Sequence, residues 1–159
     1  MTTLYVCDGG AFRAAKSEEI LQCAEATVSR RFRVGSPVLA QPGAVRSYLR
    51  LHLGNLPYEV FGCLYLDSRR RLIANEELFR GTIDGCVISA REVIRSCLLH
   101  AAASLLLYHN HPSGDTMPSQ ADELVTLRIK EAAALIDVQV LDHWIIGESV
   151  ISMAEHALI

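Results

Sequence analysis

Ser104-Leu-Leu-Leu-Tyr108-His109-Asn110-His111-Pro112-Ser113-Gly114-Asp115-Thr116-Met117-Pro118-Ser119-Gln120-Ala121-Asp122 is the stretch that decides the architecture. Residues 104–108 are an apolar run of the kind buried in the middle of a sheet. Residues 109–118 read as a polar loop with Gly and Pro, and residues 119–134 as a helix that Ser119 can cap. In an extended segment residues i and i+2 point the same way, and Pro112 biases His111 toward extended geometry. Two imidazoles can therefore converge on one point. Asp122 falls in the first turn of the helix, three residues from its cap, and the loop can fold that turn back over the histidines. Two imidazoles and a carboxylate suit zinc. Three protein ligands leave the fourth tetrahedral position for water, the arrangement of catalytic rather than structural sites. The competing reading is of two surface loop histidines and a helix cap. The carboxylate at the next helix start, with proline and glycine in the linking loop, favours the first, and a site directly after a buried strand fits the rule that α/β sheets place their sites at strand C-termini.

Working outward, the surrounding pattern alternates strands and helices, which predicts an α/β layered domain. Downstream, residues 138–146 read as a strand, residues 147–149 as a turn and residues 150–152 as a short last strand. Upstream, residues 91–103 carry Val93, Ile94, Cys97, Leu98 and Ala101 at helical spacing. A short strand is expected over residues 85–88. A hairpin is expected from strand 58–66, the turn Asp67-Ser68-Arg69-Arg70 and a return strand from Arg71. Residues 1–40 are expected to be a loose arm followed by a lead-in helix over 18–30, with Ile20, Leu21, Ala24 and Val28 on one stripe. Residues 41–159 form the main domain, opened by a helix at Pro42 with Val45, Tyr48 and Leu49 on its buried side.

Composition narrows the class. Half of the 159 residues are hydrophobic, enough for one core without staples. A formal charge of −3 gives no whole-molecule attraction to nucleic acid or an anionic membrane. DNA association therefore has no support from net charge. Five cysteines without a C-x-x-C pair argue a reducing compartment and free thiols rather than a disulfide framework or thiolate metal site. No signal peptide or spanning segment is read, so a cytoplasmic protein is expected.

The same residues carry a resemblance. H-x-H, seven residues, Ser, two residues, Asp is similar to the JAMM signature of JAB1/MPN metalloproteins, and His-Asn-His-Pro-Ser-Gly-Asp with Pro118-Ser119 and Asp122 resembles the RadC branch. Glu59-Val-Phe-Gly-Cys-Leu-Tyr-Leu-Asp-Ser, Leu72-Ile-Ala through Glu77-Leu-Phe-Arg-Gly-Thr-Ile, Arg91-Glu-Val and Val140-Leu-Asp-His-Trp-Ile-Ile-Gly extend it over most of residues 45–157. The resemblance implies a JAB1/MPN-type, cytidine deaminase-like α/β fold: a curved mixed β-sheet flanked by helices. It also implies a zinc-dependent hydrolase acting on a peptide or isopeptide amide, with a peptide or protein substrate. The ligands it implies are His109, His111 and Asp122. Glu59 matches the glutamate that shuttles a proton for the attacking water, with Glu76 and Glu77 as rivals. Ser119 matches a serine that helps stabilise an oxyanion, while a plain N-cap explains it equally well.

Three further residues stand near the motif. Asp142-His143 lies in an apolar strand, either as a satisfied core or sheet-edge pair or as support behind the ligands. Asp115 lies in a tight turn beside the site. Two departures are visible. No helix-hairpin-helix element like that of longer RadC proteins is read here, so a short stand-alone form is expected. Ser89-Ala90 stands where the group usually has His-Pro. Two other functions stay open at this point: a RadC-type role in DNA repair or DNA metabolism, and an MPN protein-interaction module. The oligomeric state is open.

Overall fold

The computed structural model describes residues 3–31, 34–37, 42–81 and 87–159. In chain order the elements are β1 (Tyr5–Asp8), β2 (Ala11–Ala14), α1 (Ser17–Arg31), α2 (Pro42–Leu53), β3 (Val60–Leu66), β4 (Leu72–Arg80), α3 (Ala90–Leu99), β5 (Ser104–Asn110), α4 (Gln120–Ala134), β6 (Gln139–Ile146) and β7 (Val150–Ser152). Every residue of β3 and β5 is buried, as their continuous apolar sequences require. They lie side by side in a five-stranded sheet ordered β4-β3-β5-β6-β7. β3 runs antiparallel to both β4 and β5, β5 and β6 are parallel, and β7 returns antiparallel to β6. The parallel pair needs a crossover, and α4 supplies it.

Apolar side chains leave both faces of this sheet, so both are covered. Val45, Leu49 and Leu53 of α2 pack on Val60, Leu64, Leu106, Tyr108 and Trp144 on one face. Val93 and Cys97 of α3, with Ile129 and Ala133 of α4, pack on Phe61, Cys63, Leu105 and Leu107 on the other. A mixed sheet between helical layers is the JAB1/MPN-type α/β architecture expected from the resemblance. Among the described residues no helix is long and apolar enough to cross a membrane.

Several local expectations change. Residues 5–14, expected as part of a loose arm, form the β1–β2 hairpin, closed by Gly9 and Gly10 at φ 57° and 86°. Two consecutive positive φ values are what a two-residue hairpin turn needs. α3 stops at Leu99 rather than running to 103. The Ala101 and Ala102 N–H groups bond back to Leu98 O and Cys97 O at 3.1 and 3.0 Å, with Ala101 left-handed at φ 47°. Of the strand expected over 85–88, Val87 and Ile88 are not in a strand and the rest lies outside the described residues. β5 continues through His109 and Asn110, which were expected to open the loop.

Candidate metal centre

The extra length of β5 sets the site. His109 sits inside the sheet, paired with Phe61 on one side and Ile145 on the other, and is fully buried. His111 lies just beyond the strand end, its N–H donating to Ile146 O at 2.9 Å. The chain then turns, with Gly114 N–H donating to His111 O at 3.0 Å and Gly114 at φ 84°. It enters α4 through a complete capping box. Asp122 N–H donates to Ser119 Oγ at 3.2 Å, and Ser119 N–H donates to Asp122 Oδ2 at 2.7 Å. Ser119 Oγ also donates to Asp122 Oδ2 at 2.6 Å. The cap thus fixes the carboxylate as well as the helix start.

These elements bring His109, His111 and Asp122 together, with one ligating atom of each within 4.8 Å of the others. His109 Nε2 lies 2.8 Å from His111 Nε2 and 3.2 Å from Asp122 Oδ1, and His111 Nε2 lies 3.5 Å from Asp122 Oδ2. Donor atoms about 2.0–2.1 Å from a tetrahedral zinc stand roughly 3.3–3.4 Å apart; the two imidazole–carboxylate spacings, one to each Asp122 oxygen, lie near that value, and the imidazole pair would have to open by about half an ångström. His111 Nδ1 is 2.9 Å from the backbone O of Asp115. The carbonyl accepts a hydrogen bond from Nδ1–H, so that in the neutral ring Nε2 is the bare nitrogen and faces the site. Asp115 contributes through this main-chain oxygen, while its carboxylate accepts the Met117 N–H at 2.9 Å and shapes the loop.

Charge at the site follows the same contacts. Burial works against ionisation of Asp122, but hydrogen bonds with His109, His111 and Ser119 outweigh it and hold the carboxyl far below the usual carboxylate range. The hydrogen bond with Asp122 raises the His111 pKa against the opposing effect of burial. Glu59, half-buried just ahead of β3, has its pKa raised by desolvation first, lowered by His109 and His111, and raised again by Asp122. Its carboxyl therefore feels all three candidate ligands. The rivals sit elsewhere: Glu76 accepts from Ser96 Oγ and pairs with His100 Nε2 at 2.8 Å, and Glu77 faces Arg80 at 3.9 Å.

Asp142 and His143 part company. Asp142 accepts from Trp144 Nε1, from Ser152 Oγ at 2.5 Å, and from the His143 and Ala154 N–H groups at 2.7 and 3.0 Å. It ties β6 to the turn after β7, as a satisfied core carboxylate. His143 is fully buried, and its Nε2 lies 2.8 Å from His109 Nδ1. Burial, with the charge of His109 adding, depresses its pKa well below the usual histidine value.

Two residues that sequence reading does not single out complete the setting. Asn110, between the histidines, points to the opposite face. Its Oδ1 accepts the Val60 N–H at 2.7 Å and its Nδ2 donates to Tyr58 O at 3.1 Å, gripping the backbone on both sides of Glu59. Thr126, one turn after Asp122, bonds His143 from behind at 2.6 Å. Asn110 is visible in the H-N-H triplet, but only the pairing of β3 with β5 shows what it holds. A cleft of about 540 Å³ adjoins the loop, lined in part by Arg50, Asn55, Gly114, Gly147 and Glu148.

Known proteins share much of this sequence. The family model described as a RadC-like JAB domain matches residues 39–158. A UPF0758 protein of Thioalkalivibrio sulfidiphilus is 45% identical over 150 residues, covering 94% of this chain and 67% of its own length. One from Azotobacter vinelandii is 48% identical over 147 residues, covering 92% and 65%, and one from Leptothrix cholodnii 55% over 124 residues, covering 77% and 56%. The chain thus spans between 56% and 67% of the length of these relatives. With the match running from just before α2 to the last turn, and the fold agreeing, this chain belongs to the RadC-like JAB-domain family.

Proposed function

We propose that the chain is a zinc-dependent hydrolase that cleaves a peptide or isopeptide amide, with His109, His111 and Asp122 as the metal ligands. The observation that carries this reading is the convergence of two imidazole Nε2 atoms and a carboxylate, one ligating atom of each within 4.8 Å of the others, at the end of a buried strand. Such a cluster calls for a cation between its members. Zinc suits the donor set, and when bound by three protein ligands it polarises a carbonyl and acidifies water to near neutral pH.

Glu59 accepts the proton of the attacking water and returns it to the leaving amine. Its raised pKa suits that role, because a general base works best when its pKa approaches the working pH. Asn110 holds the backbone on either side of Glu59, so the carboxylate starts from a fixed point. Ser119 orients Asp122 through the capping box. To steady an oxyanion as well, its hydroxyl has to turn away from Asp122 Oδ2. The choice of an amide bond comes from the family likeness.

The test compares Glu59→Gln with Glu77→Gln at equal zinc content, on an amide substrate found by screening peptide and isopeptide libraries. Glu59→Gln is expected to keep zinc and lose about 10²–10⁴-fold in turnover, the scale of general acid–base catalysis, while Glu77→Gln stays near wild type. The reverse pattern would refute Glu59 as the base. Loss in neither variant would refute the single-carboxylate mechanism.

A further inference from the structure

An imidazole binds a metal through a bare nitrogen, and in the neutral ring the other nitrogen then carries the proton. For His111 the Asp115 carbonyl makes that choice. For His109 it is made deeper in the core. Thr126 Oγ1 lies 2.5 Å from the backbone O of Asp122, which has no proton to give, so the hydroxyl donates there. Met153 Sδ, at 3.9 Å, is a weaker acceptor for the same proton. With its one proton spent, the hydroxyl can only accept from His143 Nδ1 at 2.6 Å. His143 therefore carries its proton on Nδ1, and its Nε2 faces His109 Nδ1 at 2.8 Å. When His109 Nε2 is bare for a metal, Nδ1 holds the proton and His143 Nε2 is the acceptor that receives it.

The geometry points to Thr126 and His143 as positioning residues that lock His109 in the Nδ1–H form, with Nε2 aimed at the metal position. All three side chains are fully buried, so no water competes for these bonds. The Phe61 ring meets His143 edge-on at 5.5 Å between centroids and closes that side. The string runs in one direction: His109 Nδ1–H to His143 Nε2, His143 Nδ1–H to Thr126, and Thr126 O–H to Asp122 O. It ends on the main chain of a second ligand, so the imidazole and the carboxylate are held to one another from behind. This inference rests on the metal-dependent reading of the site.

The experiment uses the full chain labelled with ¹⁵N, loaded with zinc, and long-range ¹H–¹⁵N spectra of its imidazoles. His143 is expected to show a protonated Nδ1 and a bare Nε2, and His109 a protonated Nδ1 with zinc on Nε2. A proton on His143 Nε2 overturns the inference without any variant being needed. Thr126→Val then keeps the shape and removes the hydroxyl, and Thr126→Ser restores it. Competition with a chromophoric chelator should show Thr126→Val binding zinc about 10–100-fold more weakly, the usual cost of losing a partner behind a ligand, and Thr126→Ser returning to the wild-type range. Equal affinity in Thr126→Val and wild type, or a Ser variant as weak as the Val variant, overturns it as well. A wild-type chain that takes up no zinc overturns the metal-centre reading and this inference with it, whereas zinc uptake with the other tautomer overturns this inference alone.

Discussion

His109 and His111 supply the same ligand atom from different settings, and their replacement should differ accordingly. Both His109→Ala and His111→Ala are expected to lose zinc, read by atomic emission. Only His109→Ala should also weaken the fold, by about 1–3 kcal/mol in urea, because it empties a buried place in β5 and strands His143 without its partner. Equal unfolding midpoints for the two zinc-free variants would contradict this. The sequence alone placed both histidines after the strand and so implied equal, mild effects. His111, Ser119 and Asp122 are legible in the sequence because their geometry is local: an i, i+2 pair, a cap and the third helical residue. Asn110 and Thr126 are not, since each acts on a segment far along the chain. The role of His143 was undecided for a subtler reason. The register steps from Leu105↔Val140 to Leu106↔Asp142, so Leu141 is an extra residue in β6. This bulge shifts the face of everything after it, and simple alternation cannot tell which of Asp142 and His143 meets His109.

Elements were legible where burial imposes a period. β3, β5 and β6 each bury a run of apolar residues, and α2 and α4 start at Pro42 and at the Ser119 cap as expected. The β1–β2 hairpin was not legible because seven of its eight strand residues are exposed and the eighth only half-buried, so no side of it is marked apolar. Apolar spacing likewise overran the end of α3, where the helix closes on Ala101 in a left-handed conformation at φ 47°. A Cβ in that region costs roughly 1–2 kcal/mol, while glycine adds about 0.5–1 kcal/mol of unfolded-chain entropy. Ala101→Gly is therefore expected to raise stability by a few tenths to about 1 kcal/mol, or the melting temperature by about 2 °C. A drop in melting temperature would show that the Ala101 methyl contributes contacts worth more than its strain.

For the whole molecule, the sheet order matters because it brings the β6–β7 turn against the ligand loop. Glu148 N–H donates to Gly114 O at 2.8 Å, and a Cβ on Gly147 would stand 2.4 Å from Gly114 O and 2.6 Å from Asp115 O. Both contacts are main chain, so neither can swing aside. Gly147→Ala is expected to cost about 1–3 kcal/mol and to weaken zinc binding, because the displaced loop carries the Asp115 carbonyl that orients His111. Unchanged zinc affinity in a chelator competition would mean that the loop yields without moving that carbonyl. The parallel pairing of β5 and β6 has a consequence in time. His109, His111 and Asp122 are joined by one loop and all precede β6, whereas His143 reaches them only after the α4 crossover has closed. Short loops close early and crossover-linked strands pair late. A chain refolding in zinc should first hold the ion loosely and in rapid exchange, then seal it in when β6 docks. Stopped-flow mixing with a chelator at successive refolding times would show an early, quickly stripped fraction giving way to a slowly stripped one; a single slow population from the first time point would mean that the sheet closes before the ion enters.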